Sequence, residues 1–194
     1  MTARVPFDGL ERGQLVGLAM RGDHDAFGRL AAGAIDRMHG VAWLILRDQH
    51  DAEDAVQEAL VRAWRELPRL RDSDRFDAWL RRLLVNACHD ISRRHRRHAA
   101  MRLVELAVEP VAVDSWRAID ERERLGRAFE RLPMDQRTVL ALTHYLGLTG
   151  PEVAAAVGAP LGTVKSRLRY ASAAMRAALE ADDRVAEPAR GQLT

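Results

Sequence analysis

The chain has 194 residues, room for one ordinary domain or two small ones, and 47% of them are hydrophobic, which excludes a disordered composition. Lys and Arg number 30 against 28 Asp and Glu, so a formal net charge of +2 says little and the placement of charge must carry the information. A lone cysteine, Cys88, excludes an internal disulfide framework and a multi-cysteine metal cluster.

The amino end, MTARVPFDGLERGQLVGLAM, interrupts its apolar stretches with charges and has no continuous signal-peptide core. No window approaches the roughly 18 uncharged apolar residues of a membrane span, and Val41 to Leu46 reads as part of a soluble helix. A cytoplasmic protein without membrane insertion is expected. Residues 1–22 read as a loose leader. Asp23 caps a helix running to about Ala32, and a second helix covers roughly Ala34 to Leu46.

A break near Arg47 to His50 leads into DAEDAVQEALVRAWREL. At 100° per residue, Ala52, Val56, Ala59, Leu60, Ala63, Trp64 and Leu67 share one face, and Asp51, Asp54 and Glu58 cluster opposite. Acids near a helix start also complement the local dipole, so the patch has a purely structural reading as well. Pro68 ends this helix and RLRDSDR forms a charged loop. A long helix then spans about Phe76 to Arg97. Phe76, Leu80, Leu83, Leu84, Ala87 and Ile91 line its inner face, with Trp79 at the edge and Cys88 at the edge or partly buried. Arg82, Asn86, His89, Arg93 and Arg96 form an outward basic stripe.

The periodicity weakens over Ala99 to Asp114, and Pro110 interrupts it, which makes this stretch the expected linker. The resulting fold is all-α: two small helical domains, 23–98 and 115–181, joined by a flexible linker and followed by a tail over 182–194. In the second domain one helix runs to about Leu132, Pro133 marks a break, and Asp135 to Leu146 supplies another helix.

The strongest local signal is a helix-turn-helix between Thr149 and Leu179. Thr149 is an N-cap, Pro151 stands early in the helix, Glu152 completes the capping-box spacing, and Gly158-Ala159-Pro160 makes a tight turn. In the second helix Val164, Leu168, Ala171, Met175 and Leu179 form the buried stripe. Gly162, Lys165, Ser166, Arg169 and Arg176 point away from it, and Arg167 lies on the flank. From Leu161 to Ala178 there are basic residues and no acids, a composition suited to a DNA major groove; Gly162 or Thr163 at its start can bring a backbone N–H to phosphate.

The order of these segments resembles the extracytoplasmic-function, or ECF, group of bacterial RNA polymerase sigma factors. DAEDAVQEALVRAW resembles the best-marked segment of sigma region 2, and FDAWLRRLLVNACHDISRRHRR its promoter-recognition helix. LPMDQRTVLAL followed by LTGPEVAAAVGAPLGTVKSRLRYASAAM resembles region 4. The likeness covers about 24–98 and 118–179, with no room for region 3. It implies that Asp51, Glu53, Asp54, Gln57 and Glu58 dock a coiled coil of the polymerase beta-prime subunit, while region 4 meets the beta flap. It implies that Asn86, Asp90, Arg93 and Arg94 engage the −10 element, with Arg82, His89 and Arg96 adding charge for the separated strand and the Pro68 to Arg75 loop capturing a base. Lys165, Ser166 and Arg169, flanked by Gly162 and Thr163, would read the −35 element, with Arg167 and Arg176 on the backbone. An anti-sigma protein is an expected further partner. Ala55 departs from the family's usual larger aliphatic residue, so looser packing is expected there.

No motif supports catalysis, and no cofactor is expected. His89, His95 and His98 with Cys88 diverge around their helix, which argues against a metal site. Two other functions fit parts of the chain: a conventional DNA-binding regulator with a ligand-sensing or dimerising first domain, and a helical interaction protein. The acidic surface over 51–58 separates the first of these from a sigma factor, and the basic faces count against the second.

Overall fold

A computed structural model describes residues 11–102 and 121–190, with side chains over 11–98 and 126–181. The linker expected over 99–114 lies outside the described residues from 103 onward, as does the start of the second domain up to 120.

The amino-terminal unit contains α1 (Arg12–Met20), α2 (His24–Ala32), α3 (Ile35–Leu46), α4 (Gln49–Glu66) and α5 (Phe76–Arg102). The carboxyl-terminal unit contains α6 (Glu121–Glu130), α7 (Met134–Leu140), α8 (Gly150–Val157) and α9 (Leu161–Arg190). Two small helical domains are therefore present, as the sequence predicts.

Local chemistry starts several of these helices, one where the sequence places it, after Asp23, and one at Gln49, inside the break expected over Arg47 to His50. The Asp23 carboxylate accepts from the Ala26 amide at 3.0 Å, and Asp48 accepts from Asp51 at 2.8 Å, so each supplies a partner to an otherwise orphaned N–H. Two short 3₁₀ turns, Leu67–Arg69 and Ser73–Arg75, carry the chain from α4 to α5. Ala52, Ala55, Val56, Ala59, Ala63 and Leu67 are buried, so α4 presents a run of small residues that lets α3 and α5 approach closely. Ala55 is fully buried. Trp64 packs beside Phe27 and His24 of α2, at ring-centroid distances of 5.2 and 4.2 Å. Phe76 packs against Trp79 at 6.0 Å, which makes Trp79 a partner of the core.

Three sequence expectations need correction. The leader 1–22 is not loose from Arg12 onward: α1 buries Val16 and Ala19 and packs against α2 and both 3₁₀ turns. Its apolar residues crowd several faces, so no stripe betrays it, and its cap uses Glu11 with Gln14 in place of the commoner Ser or Thr. The tail over 182–194 is helical as far as Arg190, because α9 continues past the expected boundary. Cys88 is fully buried, and burial pushes its thiol up to about 12. A further difference lies beyond α7, where the chain turns through one π-helical stretch, Ala141–Tyr145, instead of continuing as α-helix.

The two units pack on one another. A single apolar core contains Ile45, Ala59, Leu84 and Ala87 from the first unit and Val139, Leu142, Val153 and Val164 from the second. Helix α8 lies against α5, and α7 with its π turn lies against α3. A smaller cluster of Leu132, Leu140 and Ala171, supported by Phe129, Leu168 and Met175, holds α6, α7 and α9 together.

Candidate polymerase and nucleic-acid interfaces

The acidic residues of α4 divide into two sets. Glu53, Asp54 and Gln57 are exposed, and the Gln49 side-chain amide donates to Glu53 at 3.2 Å. Asp51 and Glu58 instead face α5. The Asp51 side chain is only 14% exposed and lies 3.3 Å from Nδ1 of His95. Its carboxyl sits above the ordinary range because burial disfavours the charge and Asp48 and Asp54 add repulsion, with His95 opposing them. Glu58 accepts from Arg62 and, at 2.7 Å, from Arg94.

That pairing continues across the helix pair. Arg62 also donates to Asp90 at 3.0 Å, and Asp90 accepts from Arg93. Partial burial works against the charge on Asp90, but the hydrogen bonds from Arg93 and Arg62 outweigh it and hold its carboxyl below the ordinary range. Glu58, Arg62, Asp90, Arg93 and Arg94 thus form one network joining α4 to α5. Sequence periodicity put Glu58 with the acids and Arg93 with the outward stripe; the structure brings them together.

Along α5, Arg82, Asn86, Arg93, Arg94 and Arg96 are exposed, while His89 and Asp90 are half-buried. Asn86, His89 and Arg93 line a polar cleft of about 530 Å³ whose far wall is the second unit, through Asp135, Gly158, Ala159 and Arg167. His89 is below its ordinary value of 6.5 because of burial; Arg93, Arg167 and Arg96 push the same way and Asp135 opposes them. Asp90 and Arg62 also line the cleft.

The unfolded chain therefore takes up a proton at His89 at a higher pH than the folded chain. Its contribution to stability is complete above the ordinary histidine value and is lost as the pH falls from there toward the depressed folded value. The thermal midpoint is expected to fall between about pH 7 and pH 5, and His89→Asn should flatten that fall in scanning calorimetry. Identical slopes for both proteins would exclude His89 as a source.

The helix-turn-helix is built as its sequence suggests. The Thr149 amide and hydroxyl both donate to Oε2 of Glu152, at 2.8 and 2.7 Å, and these bonds hold the Glu152 carboxyl below its ordinary range. Gly158 closes α8 in the left-handed region with φ 65°. A Cβ on Gly150 would meet Leu161 at 3.0 Å, so the absence of a side chain there lets the start of α9 approach. Val153, Val164 and Ala171 are completely buried and set the orientation of α9.

On that helix Gly162, Lys165, Arg169 and Arg176 are exposed, and Thr163 and Ser166 are half-buried. The Ser166 hydroxyl donates to the Thr163 carbonyl at 2.9 Å. Arg167 turns back and pairs with Asp135 of α7 at 2.6 Å. Arg176 borders a separate, mainly apolar groove that includes Leu44, Phe129, Tyr145, Met175 and Leu179.

Two features escaped the sequence reading. Tyr170 is 57% exposed, and Arg169 lies 5.0 Å from its ring centroid, which gives the basic helix an aromatic beside a cation. An aromatic next to an outward arginine was the available signal. The apolar groove was not readable, because Leu44 and Met175 come from different units. Among the described residues, no group of three His, Cys, Asp or Glu is placed to hold a metal, and no helix is long and apolar enough to cross a membrane.

A capped helix-turn-helix with a basic helix, coupled to a helical unit carrying acidic and basic faces, defines a two-part helical transcription protein. Residues 34–98 match sigma-70 region 2 and residues 122–175 match sigma-70 region 4. The ECF RNA polymerase sigma factor SigM of Mycobacterium tuberculosis is 34% identical over 160 residues, 82% of this chain and 80% of SigM. The RNA polymerase sigma-H factor of Pseudomonas aeruginosa is 31% identical over 182 residues, 86% of this chain and 93% of that protein. CnrH, solved in complex with the cytosolic domain of CnrY, superposes with a TM-score of 0.64 at 31% identity, covering 88% of this chain and 98% of CnrH. RpoE from Bartonella quintana, solved with the anti-sigma factor NepR, gives 0.65 at 25% identity over 80% of this chain and 98% of RpoE. The chain belongs to the ECF group of sigma-70 family RNA polymerase sigma factors, which are non-catalytic transcription factors that bind RNA polymerase and recognise promoters.

Proposed function

We propose that this sigma factor docks the core polymerase through the exposed acids of α4, engages the −10 element through α5, and reads the −35 element through α9. The observation that carries this reading is the separation of charge. Glu53 and Asp54 face solvent on one helix, and Lys165 and Arg169 face solvent on another. An acidic face repels DNA and suits a basic protein surface, whereas the basic helix has the opposite preference.

In this assignment the beta-prime coiled coil meets Glu53, Asp54 and Gln57, and region 4 meets the beta flap. Asp51 and Glu58 act from behind by holding α5 against α4. Arg82, Asn86, His89 and Arg96 serve the −10 strand, and the Asp90 network positions Arg93 and Arg94 beside them. Lys165, Ser166 and Arg169 approach −35 base edges, with Gly162, Thr163, Arg167 and Arg176 toward phosphates. The complex of RpoE with the anti-sigma factor NepR supports an anti-sigma protein as a partner here as well.

Adding the purified chain to core polymerase on a promoter library tests the whole assignment. Stable core association and initiation restricted to a subset of promoters are expected. Neither of these, with the chain folded and free of inhibitory proteins, would overturn it.

A further inference from the structure

Arg62 belongs neither to the acidic patch of α4 nor to the basic stripe of α5, yet it joins the two. Its Nη2 donates to Oε1 of Glu58, one turn back on the same helix, and to Oδ2 of Asp90 on α5, the latter at 3.0 Å. The other oxygen of each acid holds an outer arginine. Oε2 of Glu58 accepts from Arg94 at 2.7 Å, and Oδ1 of Asp90 accepts from Arg93. Each carboxylate is therefore divided between one shared inner cation and one outer cation of its own.

The three cations differ in their setting. The Arg62 side chain is 33% exposed, against 64% for Arg93 and 48% for Arg94. Burial works against the charge on Arg62, but its hydrogen bonds to Asp90 and Glu58 outweigh that and hold its guanidinium above the ordinary value. The network lines a shallow hollow of about 610 Å³ that also meets Arg96 and Arg97, so five arginines stand around two acids there. Such an excess of positive charge draws a phosphate chain.

Arg93 and Arg94 are thus claimed twice, by the acids that hold them and by the strand they are assigned to bind. Leaving an exposed ion pair costs little, whereas a half-buried carboxylate left with no partner keeps its whole desolvation penalty. While Arg62 stays in place, neither acid reaches that state. Arg62 stands on α4 and is the least exposed of the three, which suits it to remain behind.

We infer that Arg62 is a positioning residue of the −10 reader, the resident counter-charge of Glu58 and Asp90, which frees Arg93 and Arg94 to exchange those acids for the phosphates of the separated strand. The inference rests on the assignment of α5 to the −10 element.

The test uses holoenzyme assembled from full-length chain and core polymerase. It is titrated over a salt series with a fluorescent single strand carrying the −10 sequence of a promoter that it initiates. Arg62→Met leaves Glu58 and Asp90 with Arg94 and Arg93 as their remaining partners in the network, so both arginines are withheld from the strand. Affinity at low salt should fall about tenfold, and the salt dependence should become shallower by about 1.4, roughly 0.7 for each single-strand phosphate no longer neutralised. Arg97→Met takes the same charge from the same hollow and should cost at most about 0.7. Arg62→Lys, which keeps the charge, should leave both quantities unchanged. The triple variant Glu58→Gln, Arg62→Met and Asp90→Asn removes the acids together with their resident cation. It should return the slope to the unmodified value, an outcome that a purely structural Arg62 does not produce. Arg62→Gln retains a donor between the helices without the charge, and should move the slope in the same direction even where the methionine variant melts below the assay temperature.

An unchanged slope in Arg62→Met and Arg62→Gln would overturn the inference. So would a fall no larger than that of Arg97→Met, which makes Arg62 an ordinary phosphate contact, or a triple variant that stays weak at an intact melting temperature. Arg93→Ala with Arg94→Ala separates the two levels. Unchanged strand affinity in that variant removes both arginines from −10 binding, and the inference with them. Weakened affinity there, beside an unaffected Arg62→Met, overturns the role of Arg62 alone.

Discussion

Replacing both Glu53 and Asp54 with arginine is expected to abolish stable association with core polymerase while leaving the chain folded. Both residues are exposed, so neither change leaves a buried charge unpaired. Reversal adds repulsion to the loss of attraction, and two such positions on a basic docking surface should cost about 3 kcal/mol or more, at least a 100-fold loss of affinity. Binding to an isolated −35 duplex should be unchanged or slightly tighter, because the substitutions add positive charge. Neutralising Asp51 and Glu58 should behave differently: their partners are His95, Arg62 and Arg94, so the melting temperature should fall before polymerase affinity does. Pull-down with core polymerase and calorimetry on the two double variants separate these effects. Equal loss of core affinity from the two pairs, at unchanged melting temperature, would show that the acids of α4 do not divide as their contacts suggest.

Lys165→Ala with Arg169→Ala should have the converse result. Core association is retained, whereas binding to −35 duplex falls on the order of 100-fold, the expected sum of two side chains at base edges. Promoter choice should relax together with affinity, and the decline of binding with salt should become shallower by about one unit for each phosphate no longer neutralised. Arg167→Ala is a useful contrast. This arginine already pairs with Asp135, so its loss should alter the junction of α7 with α9 and should weaken DNA binding evenly across sequences. Fluorescence anisotropy over a salt series distinguishes base reading from backbone anchoring. Unchanged −35 affinity in the double variant would exclude the exposed face of α9 as the reader.

The sequence was most legible where local chemistry and burial agree. Asp23 and Thr149 announce helix starts because a short polar side chain can satisfy a nearby amide, and those caps are present. Val164, Leu168, Ala171 and Met175 recur at the spacing of one helix face, and that face is the one packed inward. Helix α1 was illegible for the opposite reason, since Leu15, Val16, Leu18 and Ala19 leave no single apolar stripe. Of the candidate surfaces, charge sign was readable and charge partnership was not. The Glu58 contact with Arg94 spans 36 residues, and the Arg47 contact with Glu130 spans 83. No periodic pattern on one helix reports which residue of another it will meet.

Helix α9 extends over 30 residues, about 45 Å at 1.5 Å per residue. Its first turns carry Lys165 and Arg169, and further along Met175 and Leu179 border the groove shared with Leu44. A single rod therefore joins a DNA-facing end to a section seated beside the other unit. With Val164 and Ala171 fully buried, that rod works as a ruler: it fixes how far, and in which direction, the basic end stands from the apolar section.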